Sequence, residues 1–412
     1  MILRRYAWML ILAITAPLSA DDHWAQFHGP RRDNISSETG LLTKWPARGP
    51  KLLWVRPGLG EGFATVAISD EKIYTAGNTD NQTVITAMGL DGKILWQAKN
   101  GPVAGRSYPG ARGTPTVCCG KLYHLAPDGA MTCLNSETGK EIWSMNVLEK
   151  FNGENCTWGL SESLLIDDKN VICVVGGKKT SIIALDKITG KTVWTSPSIG
   201  DKPGYASPMI IEYGGIRQIV TGMSKSIVGV SADTGKLLWK FEHKVRLDQN
   251  IMTPIYHDGR IFVSGPGAGA TLLKLKVTGK KCSVKPAWKN AKLSNAHGGV
   301  VLLNGYLFGH SDKGSRMMCV EFKTGKTMYS VDHEAAGKKS ASLTLVGEVL
   351  YILSDTKSVY LVPADPKAFK PISSFKILPG GSGPLWAHPV VFGGRLYIRH
   401  DKFLLAYDVR AK

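Results

Sequence analysis

The chain has 412 residues, with 51 Lys and Arg against 33 Asp and Glu, a formal charge of +18. Its 43% hydrophobic and 20% charged content is that of a globular protein and excludes a disordered chain. Seven cysteines in this length exclude a small disulfide scaffold, and 46 Gly with 21 Pro point to many turns.

The chain starts Met1-Ile2-Leu3-Arg4-Arg5, continues with an apolar run from Tyr6 to Leu18, and reaches Ser19-Ala20 before Asp21-Asp22. A basic start, a short apolar stretch and a small-residue cleavage site read as a secretory signal over residues 1–20. The run falls short of the about 20 apolar residues a membrane helix needs. No Cys follows Ala20 to carry a lipid at that point. The expected location is periplasmic or secreted, with no transmembrane segment after cleavage. Residues 21–48 then form an N-terminal extension.

From residue 49 to the end one pattern recurs: a polar residue, a Thr-Gly-Lys turn, and an aromatic three residues past the Lys. It reads Asn135-Ser136-Glu137-Thr138-Gly139-Lys140-Glu141-Ile142-Trp143, and returns from Asp186 to Trp194, Ser231 to Trp239 and Glu321 to Tyr329. Asp91 to Trp96 is a shortened copy, and Thr278 to Trp288 a lengthened one. Phe375 stands at the expected place without the turn, and Lys51-Leu52-Leu53-Trp54 is a tail without a head. The aromatics at 54, 96, 143, 194, 239, 288, 329 and 375 are spaced by 42, 47, 51, 45, 49, 41 and 46 residues. A period near 45 built of short β-branched runs predicts propeller blades rather than helical repeats.

Each repeat parses as four strands. In the second they are Thr114 to Val117, Lys121 to Leu125, Ala130 to Leu134 and Glu141 to Ser144. Gly in the last turn supplies a positive φ, Asp or Asn bonds its own backbone, and the aromatic packs between neighbouring blades. Seven blades end at Trp96 through Phe375. Three strands remain at the C-terminus, His388 to Phe392, Arg395 to Arg399 and Phe403 to Asp408. The orphan strand Pro50 to Val55 supplies the fourth, so the prediction is an all-β, eight-bladed propeller of four-stranded antiparallel blades, the last closed by the N-terminal strand.

Ala184 to Trp194 resembles the tryptophan-docking repeat of the quinoprotein alcohol dehydrogenase superfamily. Trp24-x-x-Phe27-x-Gly29-Pro30-x-Arg32, followed by Gly40-Leu41-Leu42-x-x-Trp45-Pro46, resembles the start of exported PQQ-like repeat proteins. The resemblance implies a PQQ-like propeller. That superfamily holds PQQ-dependent dehydrogenases and also the non-enzymatic propeller lipoprotein of the outer-membrane β-barrel assembly machinery. The enzymes hold PQQ with a Ca²⁺ on Glu, Asn and Asp, an Asp base, a Trp platform and often a disulfide between adjacent cysteines. Cys118-Cys119 is such a pair, but it falls in the turn between first and second strands, on the face opposite the quinone. Cys133, Cys173 and Cys319 are expected as core residues. No Cys-x-x-Cys-His and no zinc-finger spacing occurs.

Loops entering the first strands gather where a propeller channel opens. They carry Arg112, Trp158, Glu162, Tyr205, Asn250, His297, Lys339, Trp386 and His388, which are expected to line one pocket for a polar ligand with a flat or sugar-like part. In the blander reading Trp158 and Trp386 plug the channel, His388 is a satisfied buried histidine and Glu162 pairs with Arg112. Glu162 and Asn250 have the chemistry of Ca²⁺ ligands, but no partnering Asp is identifiable, so no metal is assigned. Lys140, Lys191, Lys236, Lys280 and Lys326 belong to the turns, which spreads the positive charge around the rim. No nucleic-acid module is present, and none is expected as a partner. The functional expectation is an exported, non-catalytic binding or assembly scaffold with no cofactor, whose partner is an envelope protein or a polar or carbohydrate ligand. The alternatives are a PQQ- and Ca²⁺-dependent alcohol or sugar dehydrogenase and a carbohydrate-binding propeller.

Overall fold

A computed structural model describes residues 23–103, 108–378 and 380–411. The expected signal segment, residues 1–20, lies outside the described residues. The rest forms eight radial sheets. Blade 1 runs through Ala67–Ser69, Lys72–Thr79, Gln82–Gly89 and Ile94–Pro102. Blade 2 has Thr116–Cys118, Lys121–Leu125, Ala130–Asn135 and Glu141–Asn146, within two residues of the parse at every boundary. Blades 3, 4, 5 and 6 begin at Leu165–Asp167, Met209–Tyr213, Ile255–His257 and Val300–Leu303. Blade 7 begins at Ala341–Val346 and blade 8 at Val390–Phe392. Within each blade successive strands pair antiparallel, from the channel outward. Among the described residues no helix is long and apolar enough to cross a membrane.

The ring closes as the strand count requires. Strand Lys51–Arg56 pairs antiparallel with Phe403–Asp408, in register Leu52 to Tyr407 and Val55 to Leu405. Blade 8 therefore takes its outermost strand from the start of the propeller. This leaves no gap between first and last blades.

Eight large clusters of buried side chains occupy the eight interfaces between neighbouring blades. The repeated aromatic fastens each interface from the rim. The Trp143 indole N–H donates to Lys187 O at 3.2 Å, and its ring covers Gly190 in the next blade's turn. Trp96, Trp194 and Trp288 dock in the same way on Ser136, Ala232 and Phe322, each the residue after the turn's first polar position, and Trp54 docks on Leu90, just before Asp91 of the shortened turn. The turn is shaped to receive the ring. Asp186 Oδ1 accepts from the N–H groups of Ile188 and Thr189, and Gly190 has φ +69°. Trp239 departs from the pattern. Its N–H donates to Gln218 Oε1 at 2.7 Å within its own blade, because blade 5 carries the lengthened turn and presents no glycine there.

The N-terminal extension has a structural role that its sequence did not announce. Ile35–Ser36 adds a parallel fifth strand to blade 7, pairing with Leu345 and Val346. Trp24 bridges to Ile68 in blade 1, and Ala25 O accepts the Val117 N–H of blade 2. These contacts fall toward the far ends of the first strands. The segment thereby fills the channel from the face opposite the loops that enter the blades.

Candidate functional site

The segment 26–34 is the floor of the site. His28, Arg32 and Asn34 adopt positive φ of 65°, 55° and 60°, a tight path for side chains that are buried in the channel. Arg32 is 5% exposed. Its guanidinium donates to Ser163 O at 3.0 Å, Pro208 O at 2.9 Å, Leu164 O and Gln26 Oε1 at 2.9 Å. One side chain thus ties the segment to blades 3 and 4. Burial lowers its pKa to about 10, opposed by the charge of Glu162.

His388 is held from three sides. Its Nε2 lies 2.7 Å from His297 O, which fixes the proton there. Its Nδ1 then accepts, with His28 Nε2 at 3.2 Å and Asn34 Nδ2 at 3.1 Å. Burial holds His388 near a pKa of about 4, and the same cause lowers His297 to about 4 and His28 well below the ordinary imidazole value. All three rings are neutral at pH 7.

Above this floor opens a cavity of about 360 Å³. Six of the nine residues singled out from the sequence line it: Arg112, Trp158, Tyr205, His297, Trp386 and His388. Trp386 stacks on His297 at 4.2 Å with an interplanar angle of 4°, and contacts Phe63 and Tyr108. Trp158 tilts against Tyr205 at 5.9 Å. Arg112 donates to Tyr108 O at 2.7 Å and Gly110 O at 3.0 Å and lies 5.6 Å from the centre of the Phe63 ring. Burial lowers its pKa, opposed by Tyr205 and Cys156.

Three expected residues lie elsewhere. Glu162 is buried and turned into blade 3, where its carboxylate accepts the Val174 N–H at 2.9 Å. Its charged neighbour is Arg32 rather than Arg112, and burial raises its pKa to about 7. Asn250 is spent on His243 Nδ1 at 2.7 Å and Met223 O at 2.7 Å. Lys339 is exposed at the rim, because the Asp355 carboxylate accepts the N–H groups of Lys338 and Lys339 and folds that loop away from the cavity. Alternation of side chains along the loops entering blades 3 and 5 accounts for the first two. Ser161 and Ser163 line the cavity on either side of Glu162, and Gln249 and Ile251 do so on either side of Asn250. Sequence reasoning missed Phe27, Phe63, Tyr108 and Arg246 in the wall. Trp24-x-x-Phe27-x-Gly29-Pro30-x-Arg32 was visible as a motif, but nothing in it pointed to the channel.

Cys118 ends the first strand of blade 2 and Cys119 starts the turn to the second, one residue from where the sequence reading put the pair, with Sγ atoms 2.8 Å apart. Cys133, Cys173 and Cys319 are buried on strands.

Comparison with known proteins agrees with this architecture. The quinoprotein alcohol dehydrogenase PedH of Pseudomonas putida is 23% identical over 240 residues, covering 51% of this chain and 38% of its own. The outer membrane protein assembly factor BamB of Moranella endobia is 22% identical over 244 residues, covering 57% of each. The chain thus spans less than two thirds of the length of these curated relatives. Among solved structures, BamB from Moraxella catarrhalis superposes with a TM-score of 0.60 at 16% identity, over 87% of this chain and 99% of that one. The quinohemoprotein alcohol dehydrogenase of Comamonas testosteroni gives 0.65 at 14% identity, over 95% and 81%. Both likenesses are likenesses of fold. The family model described as outer membrane protein assembly factor BamB matches residues 81–331, more than half of the sequence, and the chain belongs to that family of PQQ-like repeat propellers.

Proposed function

We propose that the protein is an exported, non-catalytic propeller serving as a binding or assembly scaffold in the cell envelope, with the channel-mouth cavity receiving its partner. The observation that carries this reading is where the channel's ionisable groups are spent. Glu162 caps a strand N–H, Arg32 anchors the plug, and His388 is locked between His28, Asn34 and His297. Among the described residues, what faces the cavity is rings, serine hydroxyls, the Gln249 amide, the aliphatic Leu247 and Ile251, and the cations Arg112 and Arg246. Such a wall binds by stacking and charge, and offers no free acid–base pair.

The quinoprotein branch of the fold implies PQQ with Ca²⁺. A Ca²⁺ takes about six to eight oxygen ligands, carboxylates foremost. Among the described residues the cavity wall offers the oxygens of Ser161, Ser163, Ser207, Gln249, Tyr108 and Tyr205 and no carboxylate, and Glu162 and Asn250 point away. The donor set does not fit that pair, and no reaction step follows from it. A carbohydrate ligand draws support from the Trp386–His297 and Trp158–Tyr205 ring pairs, whose faces suit a sugar.

The test incubates the purified protein with PQQ and Ca²⁺, followed by gel filtration and a dye-linked turnover assay. The expected result is neither stoichiometric quinone absorbance nor turnover. Retained quinone with turnover puts the dehydrogenase reading first. A photo-crosslinker at Trp158 is expected to capture an envelope protein that the same group at the rim residue Ile188 does not. Equal capture at both positions removes the cavity from the scaffold reading.

A further inference from the structure

The turn lysines are spread around the rim, but blade 5 concentrates charge in a way the composition did not reveal. Its outer strands, Gly269–Thr278 and Lys281–Asn290, are ten residues each. Gly279 stands nine residues before Trp288, whereas Gly139, Gly190 and Gly235 stand four before their aromatics. The hairpin is therefore longer by four to five residues per strand, roughly 15 Å at about 3.3 Å per residue. Leu275 N donates to Gly259 O at 2.9 Å, so the extension passes the first-strand turn, on the side away from the cavity mouth.

The two faces of this ledge differ sharply. Leu273, Leu275 and Cys282, with Val277 and Val284, pack against blade 4. The opposite face presents Lys274, Lys276, Lys281 and Lys285, all exposed, with Lys274 directly across from Lys285. Like charges directly opposite destabilise a strand pair. Nothing in the chain segment offsets them: from Gly259 to Ser311 there is no Asp or Glu. None of the four lysines forms an ion pair among the described residues. The face is exposed and its charge is uncompensated.

We propose that this lysine face of blade 5 docks on an anionic phospholipid bilayer. Lysines act as point charges without the fork of arginine, which suits a diffuse array of phosphates rather than one bound anion. Four ammonium groups on one face of a sheet match a plane of charge better than a groove-bound polymer. The ledge lies on the side away from the cavity mouth, so docking there leaves the mouth uncovered.

The test is co-sedimentation of the full chain with vesicles of phosphatidylcholine alone or with about 30% phosphatidylglycerol. Binding to the anionic vesicles only, weakened as salt rises from roughly 50 to 300 mM, is expected. Lys274→Gln, Lys276→Gln, Lys281→Gln and Lys285→Gln together lower the partition coefficient by on the order of a thousandfold. The same four-charge loss at Lys140, Lys191, Lys236 and Lys326 lowers it less than about tenfold. All eight side chains are exposed, so both variants should melt with the parent. Equal losses in the two variants, or no partition of the parent, overturn the proposal. So does a soluble polyanion, such as polyglutamate, that binds the ledge while anionic vesicles do not.

Discussion

Replacing Arg32 by Met tests whether the N-terminal segment is a working part of the ring. The substitution keeps an apolar stem and removes the donors to Ser163 O, Pro208 O, Leu164 O and Gln26 Oε1. Each hydrogen bond to a charged group contributes about 1.5–3 kcal/mol, so the three carbonyl contacts sum to roughly 5–9 kcal/mol. Burying the cation offsets part of this. Its pKa falls from 12.5 to about 10, which corresponds to about 3 kcal/mol. The net expectation is a loss of roughly 2–6 kcal/mol. At roughly 2 °C per kcal/mol for a chain of this size, the melting temperature drops by about 4–12 °C. Limited proteolysis followed by mass spectrometry should release fragments from the extension before any blade is cut, since Ile35–Ser36 is held by only two residue pairs. Arg32→Lys, which keeps the charge but not the fork, should fall between. If Arg32→Met melts within about 1 °C of the parent and the extension stays protected, the plug is an ornament and the reasoning fails.

Three further outcomes follow from the geometry. Gly190→Ala forces a Cβ at φ +69° to within 2.9 Å of the Trp143 ring; a loss of about 2–3 kcal/mol by chemical denaturation is expected, and a loss under about 0.5 kcal/mol contradicts the docking role. Deleting residues 21–55 removes the outer strand of blade 8 and bares Phe403–Asp408, so gel filtration should show aggregates; a monomer with unchanged melting refutes the closure. The pH dependence has two opposing parts. His388 and His297 drop from an ordinary 6.5 to about 4 on folding, so the unfolded chain takes up protons first and stability is lost as pH falls through that window. Glu162 rises from 4.5 to about 7, so its contribution is lost as pH climbs through that range. His388→Gln should flatten the acid side of the profile and Glu162→Gln the neutral side; unchanged slopes contradict both assignments.

The ring was legible because its signals are local and repeated. Thr-Gly-Lys with an aromatic four residues past the Gly encodes a hairpin, and one surplus strand at the start matches one deficit at the end. The site was legible only to the resolution of a loop. Topology brought the loops together, but whether a residue faces the cavity depends on a shift of one position along the loop. Glu162 between Ser161 and Ser163, and Asn250 between Gln249 and Ile251, fell on the wrong side of that alternation. Lys339 was lost to a different cause, a carboxylate from its own blade that reorders the loop.

The extension was opaque for a third reason. Residues 23–36 carry no period, and their partners lie far off in sequence: Ile68, Val117, Ser163, Pro208 and Leu345. No local rule reads such contacts, which exist only once all eight blades have formed a channel to fill. The consequence is functional as well as structural. A propeller channel open at both ends is a conduit; this one is stopped by Arg32, His28 and Asn34 and keeps one mouth. The stopper also fixes the chemistry above it. By packing against His388 through His28 and Asn34 it adds to the burial that keeps that imidazole neutral, and Arg112 and Arg246 are left as the charges at the cavity. A segment that sets both the depth and the charge of a cavity belongs to the site as much as the blades do, and changes in it should move binding there without touching any residue that the ring itself contributes.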